Sequence, residues 1–173
     1  MRGNRSSTSR LFRLHPRLIV LAGLLAAPGW LSAATQTTTF TVTLTLQNNC
    51  LISANPLNFG TQGVLSANVD QTTSLSVTCS TAAPYNVGLD AGTTTGSTVA
   101  ARLLAGSGGA TVGFQLYSDS AHTQVWGNTI GTNTVTGTGT GTAQTLTVYG
   151  RVPQQSTPAA GTYTSTVTAT ITF

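Results

Sequence analysis

Ser118, Asp119, Ser120 and His122 place a nucleophile, an acid and a base within five positions of one another. These are the residue types of acyl transfer, in which a histidine takes the serine proton and a carboxylate orients the imidazole. Their spacing argues against that chemistry. All four fall in one loop, with no second element to hold the base over the nucleophile or to aim backbone N–H groups at an oxyanion. The expectation is a solvated turn and no catalytic residues. Leu-Asp-Ala-Gly at 89–92 offers one carboxylate where a proton-sharing pair needs two. Gly137, Gly139 and Gly141 alternate with threonine and open no helix, so they form no phosphate cradle. His122 with the scattered Asp70, Asp90 and Asp119 is a poor metal set, and Cys50 and Cys79 have no histidine close by for zinc. No metal and no cofactor is expected, and the chain reads as a non-enzyme.

The distribution of charge points the same way. The 173 residues carry a formal charge of +4. Arg2, Arg5, Arg10, Arg13 and Arg17 all precede the apolar run LIVLAGLLAA at 18–27, which leads into Pro28, Gly29 and WLSAA. A basic start, a short apolar core and a small-residue site make a secretory signal over 1–34, with cleavage after Ala34 or Ala33. The run is short for a membrane span, and without a twin-arginine pair the general secretory route is expected. Beyond it only Arg102 and Arg151 face Asp70, Asp90 and Asp119, so the formal charge becomes 2 − 3 = −1. No basic patch remains for nucleic acid. Lysine and glutamate are absent from this part, which removes most acid–base chemistry. Export also places Cys50 and Cys79 in an oxidising compartment, where a disulfide between them is expected.

The elements that position these residues are strands. Leu75, Val77 and Cys79 alternate with polar neighbours, as do Tyr85, Val87 and Leu89, then Val112, Phe114 and Leu116, then Leu146 and Val148. The final stretch, 161–173, places Tyr163, Val167, Ala169, Ile171 and Phe173 on one face. ANPLNFG, STAAP, LDAGTTTGS, AGSGG, GNTIGTNT and PQQSTPAAG supply turns between them. Many short alternating strands between Gly/Pro turns predict an all-β sandwich. ARLLAG at 101–106 fits either a helical turn or a strand. TVTGTGTGTA at 134–143 reads as a loop or flexible edge. Near the start, TTFTVTLTLQNNC at 38–50 alternates Phe40, Val42, Leu44 and Leu46 with threonine. Periodicity makes this a strand but does not name the sheet it joins.

Four pieces in order resemble the Spore Coat Protein U domain family, which includes subunits of archaic, Csu-type chaperone–usher pili. They are CLISANPLNFG at 50–60, SLSVTCS at 74–80 with NVGLDAG at 86–92, FQLYSDSAHTQVWGN at 114–128, and LTVYGRVPQQSTPAAGTYTSTVTATITF at 146–173. ARLL at 101–104 and Thr164-Ser165 depart from the family pattern. The resemblance implies an incomplete immunoglobulin-like sandwich over 48–173 that lacks its last strand. It also implies a donor strand in 35–47, carried by Phe40, Val42, Leu44 and Leu46, that fills the groove of a neighbouring subunit. The implied partners are a periplasmic pilus chaperone, contacted through the C-terminal strand at Val167, Ala169, Ile171 and Phe173, an outer-membrane usher, and identical or related pilins. The implied location is the periplasm in transit and then a surface fibre serving adhesion or biofilm formation. Two other readings fit an exported sandwich: a self-complemented coat or matrix protein, and a small carbohydrate-binding module. Tyr117, Trp126, Tyr149 and Arg151 are read as packing residues and not as a ligand site.

Overall fold

The computed structural model describes residues 33–173. The signal expected over 1–34 lies outside the described residues except for Ala33 and Ala34. The chain divides into two units, Met1–Thr43 and Leu44–Phe173. In the first, residues 33–43 are exposed and belong to no regular element.

The second unit is built from eight strands: β1 (Cys50–Ala54), β2 (Val69–Cys79), β3 (Pro84–Leu89), β4 (Arg102–Ala105), β5 (Thr111–Tyr117), β6 (Val135–Thr138), β7 (Ala143–Val152) and β8 (Ala169–Thr172). They form a five-stranded sheet, β1-β2-β7-β5-β4, and a three-stranded sheet, β6-β3-β8. Every pairing is antiparallel. The only helical turn among the described residues is a 3-10 turn at Ser107–Gly109. The all-β sandwich expected from the alternation is the fold observed.

The inward set is the one the period of two selects. Leu75, Val77 and Cys79 from β2, Tyr85, Val87 and Leu89 from β3, Val112, Phe114 and Leu116 from β5, and Val148 from β7 are all buried. Trp126 joins them from a loop at 1 % exposure and donates its indole N–H to the Val87 carbonyl at 2.8 Å.

ARLLAG resolves as a strand, since Arg102–Ala105 pairs with Val112 and its neighbours in β5. TVTGTGTGTA is an edge followed by a loop, as expected: Val135–Thr138 is β6, an outermost strand of the three-stranded sheet, and 139–142 lead into β7. Its glycines are also packing positions: a Cβ at Gly137 would overlap the Tyr85 ring, and one at Gly139 would overlap the Ser80 carbonyl. Side-chain-free residues let this strand lie directly on the core, a constraint that low complexity does not reveal. The single long strand expected over 161–173 is broken. Thr164 bridges to Ala105 beside β4, whereas Ala169–Thr172 pairs with β3 in the other sheet. A segment that changes sheets cannot keep one continuous ladder.

One inward position is charged. Arg102 is fully buried and sits opposite Phe114 in the β4–β5 register. Its Nε donates to Asp90 O at 2.8 Å, and its Nη2 donates to Leu89 O at 2.9 Å and Trp126 O at 2.8 Å. Nη1 donates to Gln115 Oε1 at 2.5 Å. Burial pushes the guanidinium down to about 10, with the Asp90 charge opposing, so the group stays ionised at neutral pH. The planar fork ties β4 of one sheet to the end of β3 in the other through the Leu89, Asp90 and Trp126 carbonyls. Arg102→Lys keeps the charge and loses the fork. It is expected to cost about 1.5–3 kcal/mol, one charge-assisted bond, read from the urea midpoint of the exported protein. An unchanged midpoint would show that the clamp is dispensable.

Candidate functional site

An antiparallel sandwich closes when the outer strands of its two sheets are covered or paired. Here β1 and β8 are both outermost and each has one paired side: β1 on β2, and β8 on β3. Their Cα atoms come within 8 Å of each other, so the two unpaired edges lie side by side. The apolar residues beside them are incompletely covered. Ile171 is only half-buried, although Val87, its partner across the ladder, is fully buried. Val167, Ala169 and Ile52 are likewise half-buried against the core. Phe173 is 54 % exposed and Leu51 is 66 % exposed. Of the C-terminal residues named from the sequence, Ala169 and Ile171 lie in β8, and Val167 and Phe173 flank it.

Cys50 and Cys79 face each other in the β1–β2 register and are joined by a disulfide, with Cα atoms 4.1 Å apart. The bond anchors β1, which has no strand on its other side. Asn49 is tied to the same corner: its N–H donates to Ser80 Oγ at 3.0 Å and its carbonyl accepts from Ser80 N at 2.9 Å.

The chain leading into that corner has the opposite character. Phe40, Val42, Leu44 and Leu46 are 85, 82, 81 and 84 % exposed, and residues 33–49 enter no ladder among the described residues. An extended run of large apolar side chains in water is a binding element or an aggregation hazard.

The triad-like loop is held together by its own capping. The Asp119 carboxylate accepts from Gln124 N at 2.7 Å and from Thr123 N and Oγ1. His122 turns away from Ser118 and lies edge-on to the Tyr117 and Tyr149 rings. Arginine can only donate, so His122 Nδ1 accepts from Arg151 Nη2 at 3.2 Å and the ring proton sits on Nε2, 3.9 Å from Asp70 Oδ1. Arg151 and Asp70 form a two-bond pair at 2.6 and 2.7 Å. The pair is partly exposed and worth about 0.2–1 kcal/mol. No oriented serine–histidine contact exists in this loop.

Asp90, in the LDAG turn, accepts from Gly92 N at 2.8 Å and Thr168 N at 2.9 Å and so fixes the approach to β8. All three carboxylates sit below their ordinary range. The Arg151 bond lowers Asp70, and the Gln124 N–H lowers Asp119. At Asp90 burial pushes upward, and the N–H groups of Thr168 and Gly92 together with the Arg102 charge outweigh it. Folded values below the unfolded value of about 3.9 mean that this stability is full above that pH and is lost as pH falls through the folded values. The urea midpoint is expected to stay level from about pH 7 to about pH 5 and to drop below about pH 4. A decline already under way at about pH 6 would contradict it.

Sequence reasoning missed Arg102 and its partner Gln115, both buried polar residues. The only available signal was a lone arginine in an apolar stretch. It also left β1 and the first half of β2 unassigned, since their exposed outer positions blur the alternation.

Residues 36–170 match the Spore Coat Protein U domain. No curated protein sequence matches the chain. Among solved structures it is similar to a chain in the crystal structure of the CsuC–CsuE chaperone–tip adhesion subunit pre-assembly complex from archaic chaperone–usher Csu pili of Acinetobacter baumannii. The identity is 22 % and the TM-score 0.57, over 75 % of this chain and 41 % of that one. The likeness is one of fold, and it spans less than half of that chain.

Proposed function

This chain belongs to the Spore Coat Protein U domain family, and from that premise we propose that it is a structural subunit of a chaperone–usher surface fibre, assembled by donor-strand complementation. The residues act by filling and being filled, with no catalytic step. The segment 35–47 is lent to a neighbouring subunit, where Phe40, Val42, Leu44 and Leu46 enter the opening between β1 and β8 and its backbone pairs with a free edge. Val167, Ala169, Ile171 and Phe173 form the receiving side, which a periplasmic chaperone covers before an outer-membrane usher passes the subunit on. The subunit is exported by the general secretory route and ends at the cell surface, in adhesion or biofilm formation.

The observation that carries this reading is a matched pair of defects in one chain: an alternating strand left in water and a sandwich edge left half-covered. Burying the four side chains would contribute about 6–12 kcal/mol as an upper estimate, at roughly 1.5–3 kcal/mol each. Deleting residues 35–46 and co-expressing the chain with its chaperone and usher is expected to yield chaperone-bound subunit and no fibres. A synthetic peptide of residues 35–47 should then bind the truncated subunit one to one. Fibres built by the truncated subunit alone would end the proposal. A full-length chain that stays a soluble monomer without a chaperone would favour a self-complemented coat protein.

A further inference from the structure

The outer face of the three-stranded sheet carries a trough of about 200 Å³, lined by Asn86, Gly88, Asn128, Ile130, Thr134, Thr170 and Thr172. It lies on the face of β8 and not on its open edge, so strand donation does not fill it. We propose that this trough is a binding site for a neutral saccharide unit.

Unspent hydrogen-bonding capacity is the first argument. Elsewhere in the domain Asn55, Asn58, Asn68 and Asn133 engage their side chains with Ser74, Gly60, Gln154 and Thr129. Asn86, Asn128, Thr170 and Thr172 line one depression, and their carboxamides and hydroxyls engage no protein partner among the described residues. Each carboxamide offers both a donor and an acceptor, and each hydroxyl can act as either, which is the mixed pattern a polyol needs.

Charge is the second argument. Arg102, Arg151, Asp70, Asp90 and Asp119 are all absent from the lining, so the site has no means to select an anion or a cation. Shape is the third. A Cβ at Gly88 would lie 2.9 Å from the Asn128 Cα, so glycine there lets the 127–128 backbone rest against β3, where Gly127 O accepts from Leu89 N at 2.9 Å. That contact sets Asn128 beside Asn86 across the trough. Ile130, 55 % exposed at the rim, offers the apolar patch against which the C–H face of a sugar ring can lie.

The site belongs to the domain itself and does not depend on polymerisation. The test uses the exported full-length chain, immobilised and probed with an array of neutral hexose and N-acetylhexosamine oligosaccharides. At least one neutral glycan class should be retained, and Asn128→Ala combined with Thr170→Val should weaken that retention at least tenfold. Both substitutions fall on exposed side chains, and unchanged Trp126 fluorescence will show that the core is intact. Retention of no neutral glycan overturns the proposal. So does equal retention by the double variant, which would place the binding elsewhere on the chain.

Discussion

Leu44→Asp is expected to abolish fibre growth while leaving the amount of chaperone-bound subunit unchanged. Leu44 is 81 % exposed, so the substitution costs the free subunit little. On the proposed insertion into a neighbour's groove the balance reverses. About 1.5–3 kcal/mol of apolar burial disappears. The carboxylate must also be neutralised to enter a dry groove, which costs about 4 kcal/mol at neutral pH for a group of pKa about 3.9. Together these are about 6 kcal/mol, or roughly four powers of ten in the exchange equilibrium. Thr43→Asp adds the same charge on the opposite face of the strand and should leave fibres intact. Electron microscopy of cells co-expressing chaperone and usher reads both outcomes. Normal fibres from Leu44→Asp refute the donor role, and loss with both variants would assign the effect to charge alone.

Cys79→Ser should lower the yield of folded subunit several-fold. The disulfide closes a loop of about 30 residues, which the chain-entropy model values at roughly 3–4 kcal/mol. That is a large share of the 5–15 kcal/mol typical of a domain. The position makes the loss worse. Cys79 is 2 % exposed, and β1, held by β2 on one side alone, depends on the bond for its other restraint. A loosened β1 would also deform one wall of the proposed receiving edge. Soluble yield after chaperone co-purification is the measurement, with the Cys50→Ser, Cys79→Ser double variant as the control for a stray thiol. An unchanged yield would deny the bond a structural role.

Much of the sandwich was legible because alternation is local. Val77, Val87 and Phe114 announce their facing through neighbours two positions away, and the structure buries each of them. The same rule placed 134–143 at an edge leading into β7 but was silent on its packing, because glycine carries no hydropathy signal and its use here is to let the chain approach Tyr85 and Ser80. It overextended 161–173, since a period of two persists across the point where the chain leaves β4 and joins β3. Arg102 was illegible for a related reason: its acceptors are carbonyls of residues 89, 90 and 126, far away along the chain.

The sequence by itself determined the inward set of most strands, the shortage of catalytic groups after residue 34, the expected export signal, and the alternating character of Phe40, Val42, Leu44 and Leu46. Each of these is a property of composition or of near neighbours. Long-range packing decides which strands lie outermost in the two sheets, that β1 and β8 come close together, and that Asn86, Asn128, Thr170 and Thr172 share a trough. Those features depend on pairings between residues many positions apart. Strand order and register are set there by the collective packing of both sheets, which no single strand's pattern contains.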